Sequence, residues 1–267
     1  MGADIKKLRT RIKSVNSTLH LTKAMGLVAS SKIHRANISM MRAREYVRSV
    51  KDAVSELASK RECFKSPYMS KREGSRTRLI VIGGDRGLAG GYNANIFRLL
   101  REYKDCEIIP IGKHVCDRFE GGFRSVEDFN YNDSKELAKT LCNDFLQNRF
   151  DRLGIVSTKY ISMMSQEAYV QWVLPLERQI EQQNSGIIFE PDEITVLNSV
   201  IPEYVCAILF ASVKESFASE VAARRVAMDS AGKNAQEMLD ELGLEYNRAR
   251  QGAITQEITE IVAGSGL

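Results

Sequence analysis

The sequence predicts an α/β protein in which long N- and C-terminal helices form an antiparallel coiled coil and carry an inserted, mostly parallel α/β domain. Two observations predict this architecture. All five prolines lie within residues 67–202, so both ends of the 267-residue chain can be long helices. The middle alternates short β-branched runs with helical patterns. The predicted segments are an N-terminal coiled-coil helix at 1–66, the inserted domain at 77–200 and a C-terminal coiled-coil helix at 203–267.

The N-terminal segment has the spacing of a coiled-coil seam, in which apolar residues recur at alternating steps of three and four. From Ile5 to Leu57, fourteen of the sixteen seam positions are apolar, and the exceptions are Thr22 and Gly26. At about 1.5 Å per residue this helix would be about 80 Å long, so it needs a partner helix. Glycine inside a helix is unfavourable, so Gly26 predicts either the close approach of another backbone or a required flexure.

The C-terminal segment offers the partner helix. Its apolar residues keep the same rhythm through Met228, Ala231, Ala235, Met238 and Leu242. The rhythm then drifts over Tyr246, Ala249, Ile254, Ile258 and Ile261. Two long helices at opposite ends of one chain, with a domain inserted between them, pair most simply in antiparallel fashion.

The middle of the chain contains five short β-branched runs bounded by Gly or Pro. We predict strands at Leu79–Ile82, Ile108–Ile111, Leu153–Ser157, Tyr169–Val173 and Gly186–Phe189. Helical patterns lie between them at Asn95–Tyr103, Lys113–Phe119 and Ser134–Gln147. This alternation indicates a small Rossmann-like sheet. The acids Glu190, Asp192 and Glu193 around Pro191 have the composition of a further helix start.

Charge is unevenly distributed along the chain. Residues 1–76 carry 18 Lys and Arg against 6 Asp and Glu, a net charge of +12, whereas 77–200 and 201–267 are each net −4. Ten basic residues and no acid lie between Ile5 and Arg44. Such a helix suits nucleic acid, an anionic membrane surface or an acidic protein. Because residues 1–45 contain no aromatic platform for base stacking, we favour an acidic protein partner.

The glycine-rich loop Gly83–Gly91 lies where a nucleotide-binding fold would hold phosphates, between a predicted strand and a predicted helix. It matches neither G-x-G-x-x-G nor the Lys-Ser/Thr ending of a P-loop. No base, nucleophile or second carboxylate stands at a recognisable spacing from Asp85 and Arg86. We therefore interpret the loop as a glycine-permitted turn that pins a helix to the sheet, and we predict no catalytic residue.

Cysteine and histidine spacing indicates neither a disulfide framework nor a metal site. The five cysteines are widely spaced without a C-x-x-C pair, and the three histidines do not cluster with acids or cysteines. No apolar run approaches the roughly 18–20 residues that span a bilayer, and the first 30 residues lack the apolar stretch of a signal peptide. We expect a protein that is made and kept in the cytosol, or at least on that side of a membrane, without metal or cofactor.

Short motifs along the whole chain match one known family. They are Leu21–Met25, Asp85–Leu88 with Gly90–Gly91, Met164–Gln166, Ser219–Glu220, Ala222–Arg224 and Tyr246–Val262. The last of these contains almost the whole signature of that family. Through these residues the chain resembles the gamma subunits of bacterial F-type ATP synthases, which form the rotating central stalk.

The resemblance implies a non-catalytic subunit whose partners are the α and β subunits of the hexamer, the ε subunit and the c-ring of the membrane sector. Implied contacts with the hexamer are Lys23, Met25, Arg224, Arg250, Gln251, Thr255 and Glu257. The turn residues of the inserted domain are Asp85, Arg86, Gly87, Gly90 and Gly91, and Tyr204 would face the c-ring or ε. The implied location is the cytoplasmic face of the bacterial plasma membrane, reached only through the complex.

Three positions depart from the usual pattern of that family. Gly26 stands where an acidic residue commonly follows the Thr-Lys-Ala-Met run. Arg225 replaces the Met that customarily precedes Val226, and Cys206 stands where some relatives carry Glu. Two functions of other classes remain as alternatives. A nucleotide-binding regulatory protein would hold its ligand at Gly83–Gly91, and a basic coiled coil could bind nucleic acid without sequence preference.

Overall fold

The computed structural model describes residues 2–70, 72, 74, 76–178 and 189–265. Its helices are α1 (Gly2–Ser59), α2 (Tyr92–Leu100), α3 (Lys113–Cys116), α4 (Tyr131–Leu146) and α5 (Glu193–Ser265), with a 3-10 helix at Glu62–Lys65. Its strands are β1 (Thr77–Ile82), β2 (Glu107–Ile111), β3 (Arg152–Tyr160) and β4 (Gln166–Leu174). The chain divides into two compact units, one of residues 31–223 and one of residues 1–30 with 224–267.

The unit of residues 31–223 contains one four-stranded sheet of order β2-β1-β3-β4. The central strand β1 pairs in parallel with β2 and with β3, and β4 joins β3 as an antiparallel edge strand. The predicted mostly parallel sheet is therefore confirmed, and four predicted strands coincide with β1 to β4. The fifth predicted strand, Gly186–Phe189, lies outside the described residues except for Phe189, which belongs to no strand.

The sheet has a hydrophobic core on each face. Ile80 and Ile82 of β1 point into the larger core, which α4 and parts of α1 and α5 cover. Leu79 and Val81 point to the opposite face, where α2 and α3 cover a smaller core. Both faces of the central strand are thus buried, as parallel strands require, and the prediction of an α/β layer structure is confirmed.

One helix among the described residues, α5, is long and apolar enough to cross a membrane by length and composition alone. In that apolar stretch 44% of the residues are buried inside the protein. Leu197, Ile201 and Val205 of α5 are completely buried in the larger core. We therefore interpret this part of α5 as a core helix of the unit.

Helix α5 begins earlier than the predicted residue 203 and includes Pro202. The predicted helix start near Pro191 explains its first turn, because Asp192 accepts a hydrogen bond of 2.9 Å from the backbone N–H of Thr195. A proline in a helix interior costs about 3 kcal/mol. Burial of the neighbouring apolar side chains in the larger core opposes that cost, so α5 continues through Pro202 and the predicted start at residue 203 is wrong.

Helix α1 confirms the predicted seam. None of the sixteen seam positions from Ile5 to Leu57 is exposed to solvent. In the unit of residues 31–223, α1 packs on α5 through Ala36, Met40 and Ala218. The predicted three-segment division of the chain remains a prediction, because each compact unit contains part of α1 and part of α5.

The unit of residues 1–30 with 224–267 is a two-helix coiled coil. Its buried residues are Leu19, Thr22, Gly26, Ala29, Arg224, Met228, Ala235 and Leu242. Gly26 lies beside Met228, and Thr22 lies beside Gly232, so the two helices run antiparallel. The predicted seam position Met238 is wrong, because its side chain is exposed and the adjacent Leu239 is half-buried instead.

Gly26→Ala should stabilise the coiled coil. An added Cβ would lie 3.1 Å from the guanidinium of Arg225 and 3.7 Å from Met228, and no other chain segment's backbone is that close. The expected close approach of a backbone is therefore wrong. Since the end of an Arg side chain can move, we expect a gain of about 0.5–1 kcal/mol in the free energy of unfolding, measured by urea unfolding of dilute purified chain.

Gly243→Ala is the matched control for Gly26→Ala. An added Cβ at Gly243 meets nothing within 4 Å, so this substitution should give the full helix-propensity gain. A loss of stability in Gly26→Ala beside a gain in Gly243→Ala would mean that Arg225 is fixed in place and that Gly26 is required.

Candidate functional site

The loop Gly83–Gly91 connects β1 to α2, and hydrogen bonds fix it to α2 and α5. The backbone N–H of Gly84 donates to the side-chain oxygen of Asn93 in α2 at 2.8 Å. Leu88 and Gly90 both have left-handed backbone conformations, with φ of +62° and +58°. Glycine adopts a left-handed conformation without strain, which explains why Gly90 stands at its position in the turn. Gly87 is exposed, and Gly91 precedes the first residue of α2.

Asp85 organises the loop through its carboxylate. The carboxylate accepts hydrogen bonds from the backbone N–H groups of Val126 at 2.8 Å and Glu127 at 3.1 Å. It also accepts from the hydroxyl of Ser125 at 3.2 Å and the backbone N–H of Lys113 at 3.4 Å. These bonds join three separate chain segments. Asp85 therefore links the loop to the start of α3 and to residues 125–127, and its role in the turn remains a prediction.

Glu220 of α5 occupies the place where the loop would bind an anion. Its carboxylate accepts from the backbone N–H of Arg86 at 3.2 Å and of Asp85 at 3.4 Å. In a phosphate-binding loop such N–H groups point at the phosphate. Here an internal carboxylate takes those donors and would repel a phosphate. The arrangement disfavours the nucleotide-binding alternative and links the loop to α5 instead.

Asp85→Asn should destabilise the fold by about 2–3 kcal/mol. The amide group would replace one acceptor oxygen by an N–H₂ group that faces backbone donors, and buried donors without acceptors are costly. Urea unfolding of the purified chain measures the change. Asp128→Asn is the control, since Asp128 is exposed and its side chain makes no hydrogen bond or ion pair with a described residue. Equal effects of the two substitutions would contradict the organising role of Asp85.

Most residues implied as hexamer contacts lie on the surface of the coiled-coil unit. Lys23, Arg250, Gln251, Thr255 and Glu257 are exposed, and Met25 is half-buried. Arg224 differs, because only 9% of its surface is exposed and it interacts within the chain. Only a small part of Arg224 is therefore open to a partner.

The C-terminal turns of α5 are exposed over the residues whose side chains the structure describes. Every residue from Ile254 to Gly264 is exposed. Four of them are large apolar side chains, Ile254, Ile258, Ile261 and Val262, with exposures of 47%, 56%, 69% and 63%. Apolar residues at this spacing form one stripe of a helix. A stripe exposed to this degree indicates a surface that another protein covers.

The basic residues of α1 in the coiled-coil unit make no ion pair with a described residue. Its cations there are Lys6, Lys7, Arg9, Arg11, Lys13 and Lys23, and all six are exposed. In the other unit, two basic residues of α1 do have acidic partners, since Lys32 pairs with Glu127 and Arg44 with Glu215. The exposed cations of the coiled coil remain available for an acidic surface, as the charge pattern predicted.

Tyr204 is half-buried beside a polar cluster that the sequence did not reveal. Burial raises the pKa of the Tyr204 hydroxyl. The adjacent Glu203 accepts short hydrogen bonds from the hydroxyls of Tyr46 and Tyr131. Burial opposes ionisation of Glu203, but these two bonds lower the pKa of its carboxyl below the usual value. The three residues come from α1, α4 and α5, so no local pattern could have joined them.

No group of three or more His, Cys, Asp and Glu with metal-binding geometry occurs within residues 2–70, 76–178 and 189–265. The five cysteines are free thiols, and burial raises the pKa of each. Thiols of raised pKa are poor nucleophiles and metal ligands. The site that remains is a set of surfaces: a basic coiled coil, an apolar helix end and a structured turn.

The chain combines a two-helix coiled-coil unit with an α/β unit built on a four-stranded sheet. The family model described as ATP synthase matches residues 4–266. The chain is 36% identical to the ATP synthase gamma chain of Alkaliphilus metalliredigens, with 99% of each chain covered, and 38% identical to that of Ruminococcus albus, with 98% of each covered. It also resembles a chain in the Euglena gracilis mitochondrial ATP synthase (OSCP/F1/c-ring), with a TM-score of 0.71, 20% identity and coverage of 99% and 94%.

The chain therefore belongs to the ATP synthase gamma chain family. This family is that of the central-stalk subunit, and catalysis lies in other subunits of the complex. This confirms three predictions from the sequence: the family resemblance, the fold class, and that the chain is not itself an enzyme. Membership also associates the chain with the membrane through the complex.

Proposed function

We propose that this chain is the central rotor stalk that couples ion-driven rotation of the membrane c-ring to conformational cycling of the three catalytic β sites. The complex would synthesise ATP or, in reverse, pump ions. The uncovered apolar end of α5, with four large side chains 47% to 69% exposed, most strongly supports this function. Exposed apolar patches of this kind mark surfaces that another protein covers.

The coupling requires that the stalk contacts the three β subunits unequally. A shaft that touched all three alike would change no equilibrium, because only differential contact free energy shifts conformations. The coiled coil meets this requirement, because its two helices expose different side chains and its surface therefore differs from one side to another. Exposed cations lie on α1, whereas the described C-terminal turns of α5 carry the acids Glu257 and Glu260 and the apolar stripe.

The exposed residues Lys23, Arg250, Gln251, Thr255 and Glu257 are our proposed contacts with the α/β hexamer, together with the half-buried Met25. Cations among them suit acidic loops of β. The nearly buried Arg224 would contribute through its exposed edge and by holding the coiled coil.

The unit of residues 31–223 would serve the membrane side of the complex. We assign Tyr204 to the side that faces the c-ring or ε, and we place the complex on the cytoplasmic face of the bacterial plasma membrane. Asp85, Arg86, Gly87, Gly90 and Gly91 would keep the turn of this unit rigid. Rigidity is needed because a rotor transmits torque only through elements that do not deform.

Co-purification with a tagged β subunit tests the proposal. Co-expression of the chain with α and tagged β should yield a complex that contains all three and hydrolyses ATP. Recovery of α and β without the chain would contradict the rotor role. Two measurements on the full chain test the two alternatives. The first is calorimetry with ATP, and the second is DNA binding at increasing salt concentration. We expect no heat with ATP, and only weak, sequence-independent DNA binding.

A further inference from the structure

Strand β3 continues past its neighbour β1 in the sheet. The last registered pair of these two strands is Val81 with Val156, and β3 runs on to Tyr160. On its other edge β3 stays paired with β4 up to Tyr160 and Gln166. From Thr158 to Tyr160, β3 therefore has a neighbouring strand on one edge only. Thr158 is buried, so its backbone N–H and C=O groups need other partners.

Two serines of α5 supply the partners of Thr158. The backbone N–H of Thr158 donates to the hydroxyl oxygen of Ser216 at 3.2 Å. The hydroxyl of Ser219 donates to the backbone C=O of Thr158, also at 3.2 Å. Both serines are completely buried. Side chains of a helix thus replace the hydrogen bonds that a further strand would make.

Glu215 of α5 and Arg44 of α1 supply the partners of Tyr160. The backbone N–H of Tyr160 donates to a carboxylate oxygen of Glu215 at 2.9 Å, and Arg44 donates to the backbone C=O of Tyr160 at 3.0 Å. Arg44 also donates to the same Glu215 oxygen at 2.7 Å. The end of β3 is therefore joined to both long helices. We call these contacts the strand-end clamp, and its members are Arg44, Thr158, Tyr160, Glu215, Ser216 and Ser219.

Further hydrogen bonds extend the strand-end clamp along the same face of α5. Glu220 follows Ser216 by four residues, so the two side chains share a face of the helix. The Glu220 carboxylate accepts from backbone N–H groups in the loop Gly83–Gly91. The hydroxyl of Tyr92 donates to the backbone C=O of Ser216 at 3.0 Å. One face of α5 is thus hydrogen-bonded to the end of β3 and to the segment that follows β1.

Hydrogen bonds resist rotation of a helix about its own axis more than apolar contacts do. Apolar burial is non-directional, so it survives small changes of angle. A helix with its side chains has a radius of about 5–6 Å, and a turn of about 15° moves a group at that radius by about 1.5 Å. A hydrogen bond of about 3 Å is broken by such a displacement. The strand-end clamp therefore fixes the angle between α5 and the sheet.

We propose that the strand-end clamp transmits torque between α5 and the sheet of the rotor, with Glu215, Ser216 and Ser219 as its positioning residues. The apolar core holds α5 against the sheet, and the clamp sets the angle at which α5 is held. The inference rests on the proposed function, because only a rotor carries torque.

The thermal angular fluctuation of the rotor in the complete complex tests this inference. The α/β hexamer is fixed to a surface, and a bead is attached through a cysteine introduced at the exposed Arg101. The angular variance of the bead is measured during a pause without ATP. Glu215→Ala removes the acceptor of two clamp bonds, so we expect the variance to rise at least about twofold.

Ser216→Ala with Ser219→Ala tests the strand-end clamp independently. Alanine is the best helix former, so α5 itself should persist while both bonds to Thr158 are lost. We expect a rise in variance of about twofold or more here as well. An unchanged variance in either this variant or Glu215→Ala would overturn the inference.

Two further variants separate lost hydrogen bonds from lost stability. Glu215→Gln keeps a carbonyl oxygen as the acceptor, so its variance should equal that of the unaltered chain. Val213→Ala weakens the fold without removing a clamp bond, because Val213 is completely buried in the larger core on the same helix. Its variance should also be unchanged. A rise in either variant as large as that in Glu215→Ala would overturn the inference.

Addition of ATP to the unaltered complex separates the two possible failures. If ATP is hydrolysed and the bead does not rotate, the rotor function itself is wrong. If the bead rotates and the clamp variants fluctuate like the unaltered chain, only the torque-transmitting clamp is wrong.

Discussion

Replacing Ile254, Ile258 and Ile261 together by Asp should reduce ATP-driven ion pumping by the complex by at least about tenfold. These side chains are 47%, 56% and 69% exposed in the chain alone, and we propose that the hexamer covers them. Covering one such side chain contributes about 1.5–3 kcal/mol, so three charged replacements remove several kcal/mol of contact. Acidification of inverted membrane vesicles on addition of ATP measures pumping.

A charge-matched variant separates apolar contact from charge. Asn247→Asp, Gln256→Asp and Thr259→Asp together add the same three negative charges at exposed polar positions of α5. We expect a clearly smaller loss of pumping, because no apolar surface is removed. Equal losses in the two triple variants would mean that added charge, and not the apolar stripe, decides the result.

Met25→Lys should assemble and still hydrolyse ATP but pump ions poorly. Met25 is half-buried in the coiled-coil unit, and its side chain is uncharged and flexible. A Lys at this position could make a charge-assisted contact with an acidic loop of β, worth about 1.5–3 kcal/mol. Such a contact would favour one rotary position over the other two. The number of ions pumped per ATP hydrolysed in vesicles measures the coupling.

Met25→Leu is the control, since it keeps the size of the side chain without adding charge, and it should pump normally. A second substitution at Gln251, which is exposed, should relieve the defect of Met25→Lys if both positions act on the same coupling step. Unaltered pumping per ATP in Met25→Lys would mean that this level of α1 is not a coupling contact.

The coiled-coil helices were predictable because their apolar residues recur at a regular spacing, so many residues indicate the same buried face. The spacing from Ile5 to Leu57 correctly predicted which face of α1 is covered. The same rhythm was wrong at Met238, because a 3.6-residue helix drifts from a strict heptad pattern and brings Leu239 inward. Pro202 misled the placement of the α5 start, since burial in the core can outweigh a local proline cost.

The contacts that define the candidate surfaces were not predictable, because they join residues distant in sequence. Glu220 was visible only as part of a motif, and its bonds to the loop at Asp85 and Arg86 span about half the chain. Glu203, Tyr46 and Tyr131 likewise come from three helices. No periodicity or spacing carries such information, since only the folded chain brings these groups together.

Rotation of the chain inside an immobilised complex tests the central claim most directly. The α/β hexamer would be fixed to a surface, and a bead would be attached through a cysteine introduced at the exposed Arg101 in the unit of residues 31–223. On addition of ATP we predict rotation in one direction with three pauses per turn, one for each β site. ATP hydrolysis at a normal rate with a stationary bead would contradict the rotor function.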